Sequence, residues 1–202
     1  MYLQLAAVSD TTIERLRADP ALAWQLVTPD EPERVVAARA ESRPRPGLWS
    51  RLFGPKLDPR SETVPPPLVL GPGEGDLGGL GDFEKSWHGL PYLLTGTAWE
   101  GTPPPLNFLL AGGHELAIEL GQAPVRAHTS AETRVIATAL AARTPDELRA
   151  RFDPAEMNQL EIYSGGWERP EEPDDLLDAV DQLRETLDTV VGRGYGLLVI
   201  IT

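Results

Sequence analysis

The most continuous apolar run of the chain is its last segment, Tyr195–Thr202. It is rich in leucine, valine and isoleucine, and the glycines Gly192 and Gly194 precede it. A short apolar run of this composition after glycine is typical of a strand that is buried on both faces of a sheet. Residues 2–8 alternate weakly before a helix-start signal and predict a further strand, and Glu115–Leu120 alternates strictly, as a half-buried strand does. We expect the first and last strands to pair with the interior of one sheet.

Helical periodicity is clearest over Pro173–Val191. Leucine and valine recur there every three or four residues, and carboxylates occupy the opposite face. Thr129–Ser130 and Thr144–Pro145 place capping hydroxyl groups, and in the second case a proline, where a helix begins. Thr11 and Glu14 have the spacing of a capping box and predict an earlier helix. The chain therefore combines helices and strands in the manner of an α/β protein.

Residues 29–81 differ in composition from the rest of the chain. They contain ten prolines and eight glycines, and such a segment buries too little apolar surface to offset the entropy cost of ordering it. We therefore expect an irregular insertion that is dispensable for folding. Residues 48–53 are an exception, because their apolar side chains have helical spacing among basic residues. This short amphipathic helix would fold back on its own domain or make a weak contact with an anionic membrane.

The segment 82–96 carries the most versatile chemistry. If it begins as a helix, His88 and Tyr92 fall near one face and Trp87 near another, and Glu84 lies one turn before His88. A histidine oriented by a carboxylate is the minimum of a general acid and base, and a tryptophan beside it could form the wall of a pocket. The alternative is that Trp87 is a core residue next to a hydrogen-bonded His88. We expect Trp87 to be a core anchor and His88 to lie nearer the surface or a cleft.

A second pair of aromatic residues flanks a glycine turn. Tyr163 and Trp167 lie on either side of Gly165–Gly166, and large aromatic side chains are enriched at binding hot spots. Packing in the core is the alternative. No residue is assigned a catalytic role, and the candidate binding residues are Trp87, His88, Tyr92, Tyr163 and Trp167.

Several motifs together resemble the YfbM-like family of small bacterial proteins, a family of domains of unknown function. The supporting segments are Lys85–Leu90, Tyr92–Gly96, Gly112–Gly113, Pro124–Thr129, Phe152–Met157 and Glu161–Tyr163. The resemblance implies a three-layer α/β/α fold with helices on both faces of a mixed β-sheet. It also implies a single domain over residues 1–202, in which 29–81 is the insertion. No activity or catalytic residue comes with it. Pro91, inside the first motif, indicates that the helix there kinks or ends early.

Composition excludes several kinds of site. The chain has no cysteine, so it has no disulfide and no thiolate metal ligand. His114 and His128 lack a spacing that is diagnostic of a metal site, and the glycine runs lack the other residues of a phosphate loop. We therefore expect no metal and no cofactor.

No apolar run approaches the roughly 20 residues that span a bilayer, and residues 1–8 lack the features of a signal peptide, so we expect a cytoplasmic protein.

The net charge of −13 is concentrated towards the end of the chain. Residues 145–191 carry 14 acidic and 4 basic side chains. Such a segment cannot neutralise phosphates, so we expect no nucleic-acid binding. The acidity either attracts a basic protein partner or keeps the protein soluble. The predicted partner-facing carboxylates are Asp174, Asp175, Asp178, Asp181 and Glu185.

Three functions fit these patterns. The first is a non-catalytic protein-interaction domain, immunity-like or regulatory, that binds a basic partner through its acidic face. The second is an enzyme or small-molecule-binding protein with a pocket around Trp87 and His88. The third is an acidic decoy for a nucleic-acid-binding protein. The lack of a catalytic constellation in the sequence favours the first.

Overall fold

The last strand lies inside a four-stranded sheet. The computed structural model describes residues 2–31, 33–41, 66–75, 83–99, 104–121 and 123–202. The strands in these ranges are β1 (Leu3–Val8), β2 (His114–Glu119), β3 (Pro124–His128) and β4 (Gly196–Ile201), and their order in the sheet is β1-β4-β3-β2. All six residues of β4 are buried, which confirms the prediction of an interior last strand.

All three strand pairings are antiparallel. The expectation of a mixed sheet is therefore wrong for the described strands. Between β2 and β3 the reason is the short connection, residues 120–123, because a parallel pair needs a crossover of roughly a dozen residues or more. β1 runs against β4 from Leu3 opposite Ile201 to Val8 opposite Gly196.

Helices cover both faces of the sheet. Side chains of β1 and β4 alternate between two cores, as the two-residue period of a strand requires. Leu5 and Val199 face one core, and Ala6 and Leu198 face the other. The second core is closed by a 3-10 turn (Pro20–Ala23) and by helices α1 (Asp10–Ala18), α2 (Trp24–Val27) and α3 (Glu33–Glu41). The first is closed by α4 (Gly89–Thr95), α5 (Ser130–Ala141), α6 (Pro145–Arg149), α7 (Pro154–Gln159) and α8 (Glu172–Gly192). The predicted three-layer α/β/α architecture of a single domain is confirmed.

Helices α5 and α6 begin with the same capping arrangement. In α5 the Thr129 side chain accepts a hydrogen bond from the backbone N–H of Glu132, and the Glu132 carboxylate accepts one from the N–H of Thr129. Thr144 and Glu147 form the same capping box in α6. Both predicted helix starts are confirmed.

Helix α1 is capped by Ser9 rather than by Thr11. The Ser9 hydroxyl accepts a hydrogen bond from the N–H of Thr12 at 3.1 Å, and the helix begins at Asp10. The predicted capping box of Thr11 and Glu14 is wrong, because Thr11 already lies inside the helix. Glu14 instead forms an exposed ion pair with Arg17.

The segment that begins at Glu84 is not one continuous helix. A 3-10 turn covers Glu84–Trp87, and α4 starts at Gly89. Pro91 therefore lies in the first turn of α4, where its missing N–H has no intrahelical acceptor to lose. The segment is therefore interrupted at His88, before Pro91, and α4 continues through Pro91 to Thr95 rather than ending at the proline.

Two parts of the region 29–81 pack against the body of the protein. Helix α3 buries Val35 and Ala38, and Leu68 is buried while its N–H donates to the side chain of Gln25 at 2.7 Å. The prediction of irregular structure is wrong for α3, whereas residues 66–75 are irregular as predicted but contact the core. Alanine, arginine and glutamate, which favour helices, make up most of α3. The amphipathic segment 48–53 lies outside the described residues.

Glu74 links the second of these parts to the start of α1. Its Oε1 accepts hydrogen bonds from the N–H of Ser9 at 2.7 Å and from the Ser9 hydroxyl at 2.9 Å, and its Oε2 accepts one from the N–H of Gly71 at 2.7 Å. Burial alone raises the pKa of this carboxyl group, but hydrogen bonds from Thr12, Gly71 and Ser9 outweigh burial and hold the pKa below its usual value. The carboxylate therefore remains charged and joins the two segments.

Replacing this carboxylate is expected to destabilise the protein. Glu74→Ala leaves the N–H groups of Ser9 and Gly71 without a charged acceptor, so we expect the free energy of unfolding to fall by roughly 1.5–3 kcal/mol. Glu14→Ala is the control, because an exposed ion pair is worth less than about 1 kcal/mol. Urea denaturation at neutral pH measures both variants. Equal losses would contradict the account of Glu74 as a buried link.

Candidate functional site

Four aromatic rings cluster where the 3-10 turn Glu84–Trp87 meets α4. Trp87 and His88 are stacked, with ring centroids 4.7 Å apart and an interplanar angle of 11°. Trp99 lies 4.2 Å from the His88 ring, and Tyr163 lies 6.1 Å from Trp87. We call Trp87, His88, Trp99 and Tyr163 the aromatic cluster.

His88 is held at both ring nitrogens. Nε2 lies 2.8 Å from the carbonyl oxygen of Ala98, and Nδ1 accepts a hydrogen bond from the N–H of Tyr163 at 2.9 Å. A carbonyl can only accept and a backbone N–H can only donate, so the ring is neutral and carries its proton on Nε2. Burial lowers the pKa of His88, and the hydrogen bond to Ala98 offsets this only in part. The geometry offers no free ring nitrogen to a substrate.

The predicted position of His88 is wrong, and that of Trp87 is confirmed. His88 is only 1% exposed, although we expected it nearer the surface or a cleft, and Trp87 is 4% exposed, as a core anchor should be. His88 is drawn inward because Tyr163 and Ala98 provide a buried donor and acceptor for its two nitrogens. Its expected partner, the carboxylate of Glu84, lies outside the described side chains.

The structure does not bring the other two candidates into the aromatic cluster. The Tyr92 hydroxyl donates to Oε2 of Glu156 at 2.5 Å, and burial, together with this carboxylate, raises the pKa of Tyr92. Trp167 is buried, and its Nε1 donates to the carbonyl oxygen of Ile162 at 2.9 Å. The hypothesis of an exposed aromatic site at the glycine turn is therefore wrong for Trp167, because its indole completes the core. Of the predicted binding residues, Trp87, His88 and Tyr163 meet.

Sequence reasoning missed Trp99. Its side chain is 56% exposed while one side of its ring rests on His88. It follows the left-handed Gly96, which ends α4, and no periodicity marks it as part of a cluster with residues 87 and 163. Trp99 is the part of the aromatic cluster that solvent reaches most easily.

The predicted acidic side chains of α8 all face solvent. Five of them recur at intervals of three or four residues, and we call these five the acidic stripe: Asp174, Asp178, Asp181, Glu185 and Asp188. Asp175 is exposed beside them. The opposite face of α8 is buried in the first core through Leu176, Val180, Leu183, Leu187 and Val190.

Most of the acidic stripe has no compensating charge. Asp174 pairs with Arg149 at 2.5 Å, and Asp181 pairs with Arg184 at 2.5 Å. The other three carboxylates of the stripe form no ion pair with the part of the chain that the structure describes. The result is a negative surface that runs along one helix.

No three histidine, aspartate or glutamate side chains in the described ranges come together to hold a metal ion. Every described helix is too short or too polar to cross a bilayer.

A family model described as "Domain of unknown function (DUF1877)" matches residues 1–200. The chain belongs to this family. A solved structure, described as the crystal structure of a protein of unknown function, YfbM from Escherichia coli, has a TM-score of 0.56 with this chain at 19% sequence identity. The match covers 100% of both chains. No curated protein matches. The predicted YfbM-like family is confirmed, and at this identity the solved structure shows the fold alone.

Two buried histidines predict that the stability of this DUF1877 protein falls in mild acid. Burial lowers the pKa of His88 and of His128, more than their hydrogen bonds to Ala98 and Phe108 raise it. The unfolded chain binds protons at these side chains near pH 6.5, whereas the folded chain does so only at lower pH. The stability is therefore complete above about pH 6.5 and falls below it, by up to about 1.4 kcal/mol per pH unit for each histidine.

Between pH 7.5 and 5.5 we expect the free energy of unfolding to fall, as measured by urea denaturation. Carboxyl groups with a lowered pKa, such as that of Glu74, contribute only at lower pH. His128→Gln keeps a side-chain N–H and should roughly halve the pH dependence. A flat profile over this range would show that the two histidines titrate normally.

Proposed function

We propose that this DUF1877 protein is a non-catalytic protein-interaction domain, immunity-like or regulatory, whose acidic stripe binds a basic surface of a partner protein. The observation that carries the proposal is the arrangement of α8: the carboxylates of the acidic stripe line one exposed face, and the apolar side chains of the helix are fixed in the core behind them. The stripe therefore sits on a rigid element, and its charges hold fixed relative positions.

The dimensions of the acidic stripe suit a protein surface. From Asp174 to Asp188 the helix rises by about 21 Å at 1.5 Å per residue. Charges of one sign over this distance attract an oppositely charged partner and raise the association rate. The screening length at physiological salt is about 8 Å, so each carboxylate attracts only charges near it. A partner must therefore carry basic groups along the length of the stripe to interact with all five carboxylates.

The hydrogen bonds of His88 and Tyr92 favour this proposal over an enzyme that uses these side chains. A general acid or base must reach the proton that it transfers, and both nitrogens of His88 are already bonded to backbone groups. The Tyr92 hydroxyl is likewise bonded to Glu156. An interaction function does not require either side chain to be accessible.

The proposal is tested by affinity capture with the full chain from a lysate of its host, followed by mass spectrometry. The bait is compared with a variant whose three unpaired stripe carboxylates are neutralised: Asp178→Asn, Glu185→Gln and Asp188→Asn. A basic protein that wild type captures and this variant loses would then be purified and its binding confirmed directly.

The control variant changes the net charge equally but elsewhere on the surface. Its substitutions are at exposed positions outside α8: Asp30→Asn, Glu33→Gln and Asp146→Asn. This variant should capture the partner as wild type does. Equal loss in both variants would mean that net charge alone matters and would contradict the proposal. Release of the captured protein by DNA would favour the acidic decoy instead.

A further inference from the structure

A cavity of about 450 Å³ lies between the Gly112–Gly113 turn and α5. Its walls include Pro104, Val135 and Ile136, and its polar side chains are His128 and Glu132. Small-molecule sites are typically clefts of roughly 300–1,000 Å³ with mostly apolar walls and a few converging polar groups. This cavity has both properties, and it is separate from the acidic stripe and the aromatic cluster.

The glycine turn is built to bring backbone close to His128. Gly112 and Gly113 have φ angles of 78° and 61°, a region that side chains disfavour. A Cβ atom on Gly112 would lie 2.5 Å from Pro104, and one on Gly113 would lie 2.6 Å from the carbonyl oxygen of Ala127 and 2.8 Å from Nδ1 of His128. Only glycine at both positions allows this wall of the cavity.

The polar side chains of the cavity are hydrogen-bond acceptors. Nε2 of His128 lies 3.0 Å from the carbonyl oxygen of Phe108 and therefore carries the proton. Nδ1 is left as an acceptor, and none of the described residues donates to it. Oε2 of Glu132 accepts from the N–H and the hydroxyl of Thr129, both at 2.8 Å, and Oε1 receives no hydrogen bond from the described part of the chain.

Glu132 keeps its negative charge at this position. Burial raises the pKa of its carboxyl group, but the hydrogen bonds that Thr129 donates outweigh burial and hold this pKa below its usual value. The cavity thus holds a carboxylate and a neutral imidazole acceptor. A ligand that matched them would need to donate hydrogen bonds and carry positive charge.

The neighbouring charged groups do not reverse this preference. The backbone N–H of Ser130, at the start of α5, is not free to bind an anion. Both the N–H and the hydroxyl of Ser130 donate to the carboxylate of Asp10, each at 2.7 Å. The basic side chain beside the turn, Arg126, is paired with Glu115 at 3.1 Å. An anionic ligand would face Glu132, and none of the described side chains that line the cavity is a lysine or an arginine.

We propose that this cavity binds a small amphiphilic cation, with an apolar aliphatic or aromatic body and a protonated amine that pairs with Glu132 and donates to His128. The apolar body would lie between Pro104 and the α5 side chains Val135 and Ile136. The site does not depend on the proposed function, because none of its residues belongs to the acidic stripe.

Three probes with the same indole body and side chains of similar length test the charge preference: tryptamine, the uncharged 3-propylindole and the anionic indole-3-propionate. Each is titrated into the full-length protein and followed by two-dimensional NMR. We expect tryptamine to shift the amide signals of Gly112, Gly113 and the start of α5, and to bind roughly tenfold more tightly than indole-3-propionate. Equal affinities for the three probes, or no binding by any of them, would overturn the proposal.

The chain offers a matched control for Glu132. Glu132→Gln preserves the capping box, since glutamine can serve at this position, but removes the charge; we expect roughly tenfold weaker tryptamine binding. Glu147→Gln makes the same change in the equivalent box of α6, away from the cavity, and should leave binding unchanged. Ala131→Trp places a large side chain in the cavity wall and should abolish binding. This second variant tests the site even if Glu132→Gln destabilises the protein. Unchanged tryptamine affinity in Glu132→Gln or Ala131→Trp would contradict the assigned site.

Discussion

A chain that ends at Tyr195 is expected to show no cooperative unfolding transition. The shortened chain lacks β4, which pairs with both β1 and β3. It also loses five large apolar side chains that are at most 3% exposed: Leu197, Leu198, Val199, Ile200 and Ile201. Burying each contributes about 1.5–3 kcal/mol, so the strand supplies roughly 8–15 kcal/mol, which is comparable with the whole stability of a typical domain.

Thermal unfolding followed by circular dichroism measures this effect. A chain that lacks only Thr202 is the control, because that residue follows the strand and its loss should lower the melting temperature only slightly. A truncated chain that melts cooperatively near the wild-type temperature would show that β4 is not the centre of the fold.

Trp87→Ala is expected to lower the free energy of unfolding by roughly 3–5 kcal/mol. The indole is 4% exposed and packs against the rings of His88, Trp99 and Tyr163. Removing it leaves a cavity between segments far apart in the sequence, which can close only in part. Trp99→Ala is the control, since its side chain is 56% exposed. A smaller loss for Trp87→Ala than for Trp99→Ala would contradict the described packing.

Replacing Trp87 and Trp167 individually by phenylalanine tests whether the indole N–H of each contributes to stability. Nε1 of Trp87 is buried and has no hydrogen-bond partner in the described ranges, whereas Nε1 of Trp167 donates to Ile162. Trp87→Phe removes an unpaired donor, but Trp167→Phe breaks a hydrogen bond and leaves a carbonyl unpaired. We expect Trp167→Phe to cost about 1 kcal/mol more than Trp87→Phe. Urea denaturation measures the difference, and the reverse order would show that Trp87 is hydrogen bonded.

Local sequence patterns predicted the elements that are marked by a regular hydrophobic period or by a short capping motif. Helix α8 and strand β4 were predictable because one side of α8 and both sides of β4 are buried, so the hydrophobic period reports burial directly. The starts of α5 and α6 were predictable because a capping box involves only four consecutive residues.

Features that depend on distant residues were not predictable. Ser9 caps α1 in place of Thr11, and the carboxylate that accepts from Ser9 is 65 residues away at Glu74. His88 is buried because Tyr163, 75 residues away, donates to it. Helix α3 was missed because the prolines around it dominated the composition of residues 29–81. The cavity had one signal, the pair Gly112–Gly113, but its facing residues His128 and Glu132 come together only in the fold.

The direct test of an interaction through the acidic stripe is the association rate of the captured basic partner, measured at two salt concentrations. We expect the wild-type rate to fall steeply between about 25 mM and about 250 mM salt, because screening weakens the attraction. Neutralising Asp178, Glu185 and Asp188 should lower the rate at low salt and flatten its salt dependence, while the control neutralised at Asp30, Glu33 and Asp146 should behave like wild type. A partner that binds all three proteins at the same rate at both salt concentrations would contradict the account.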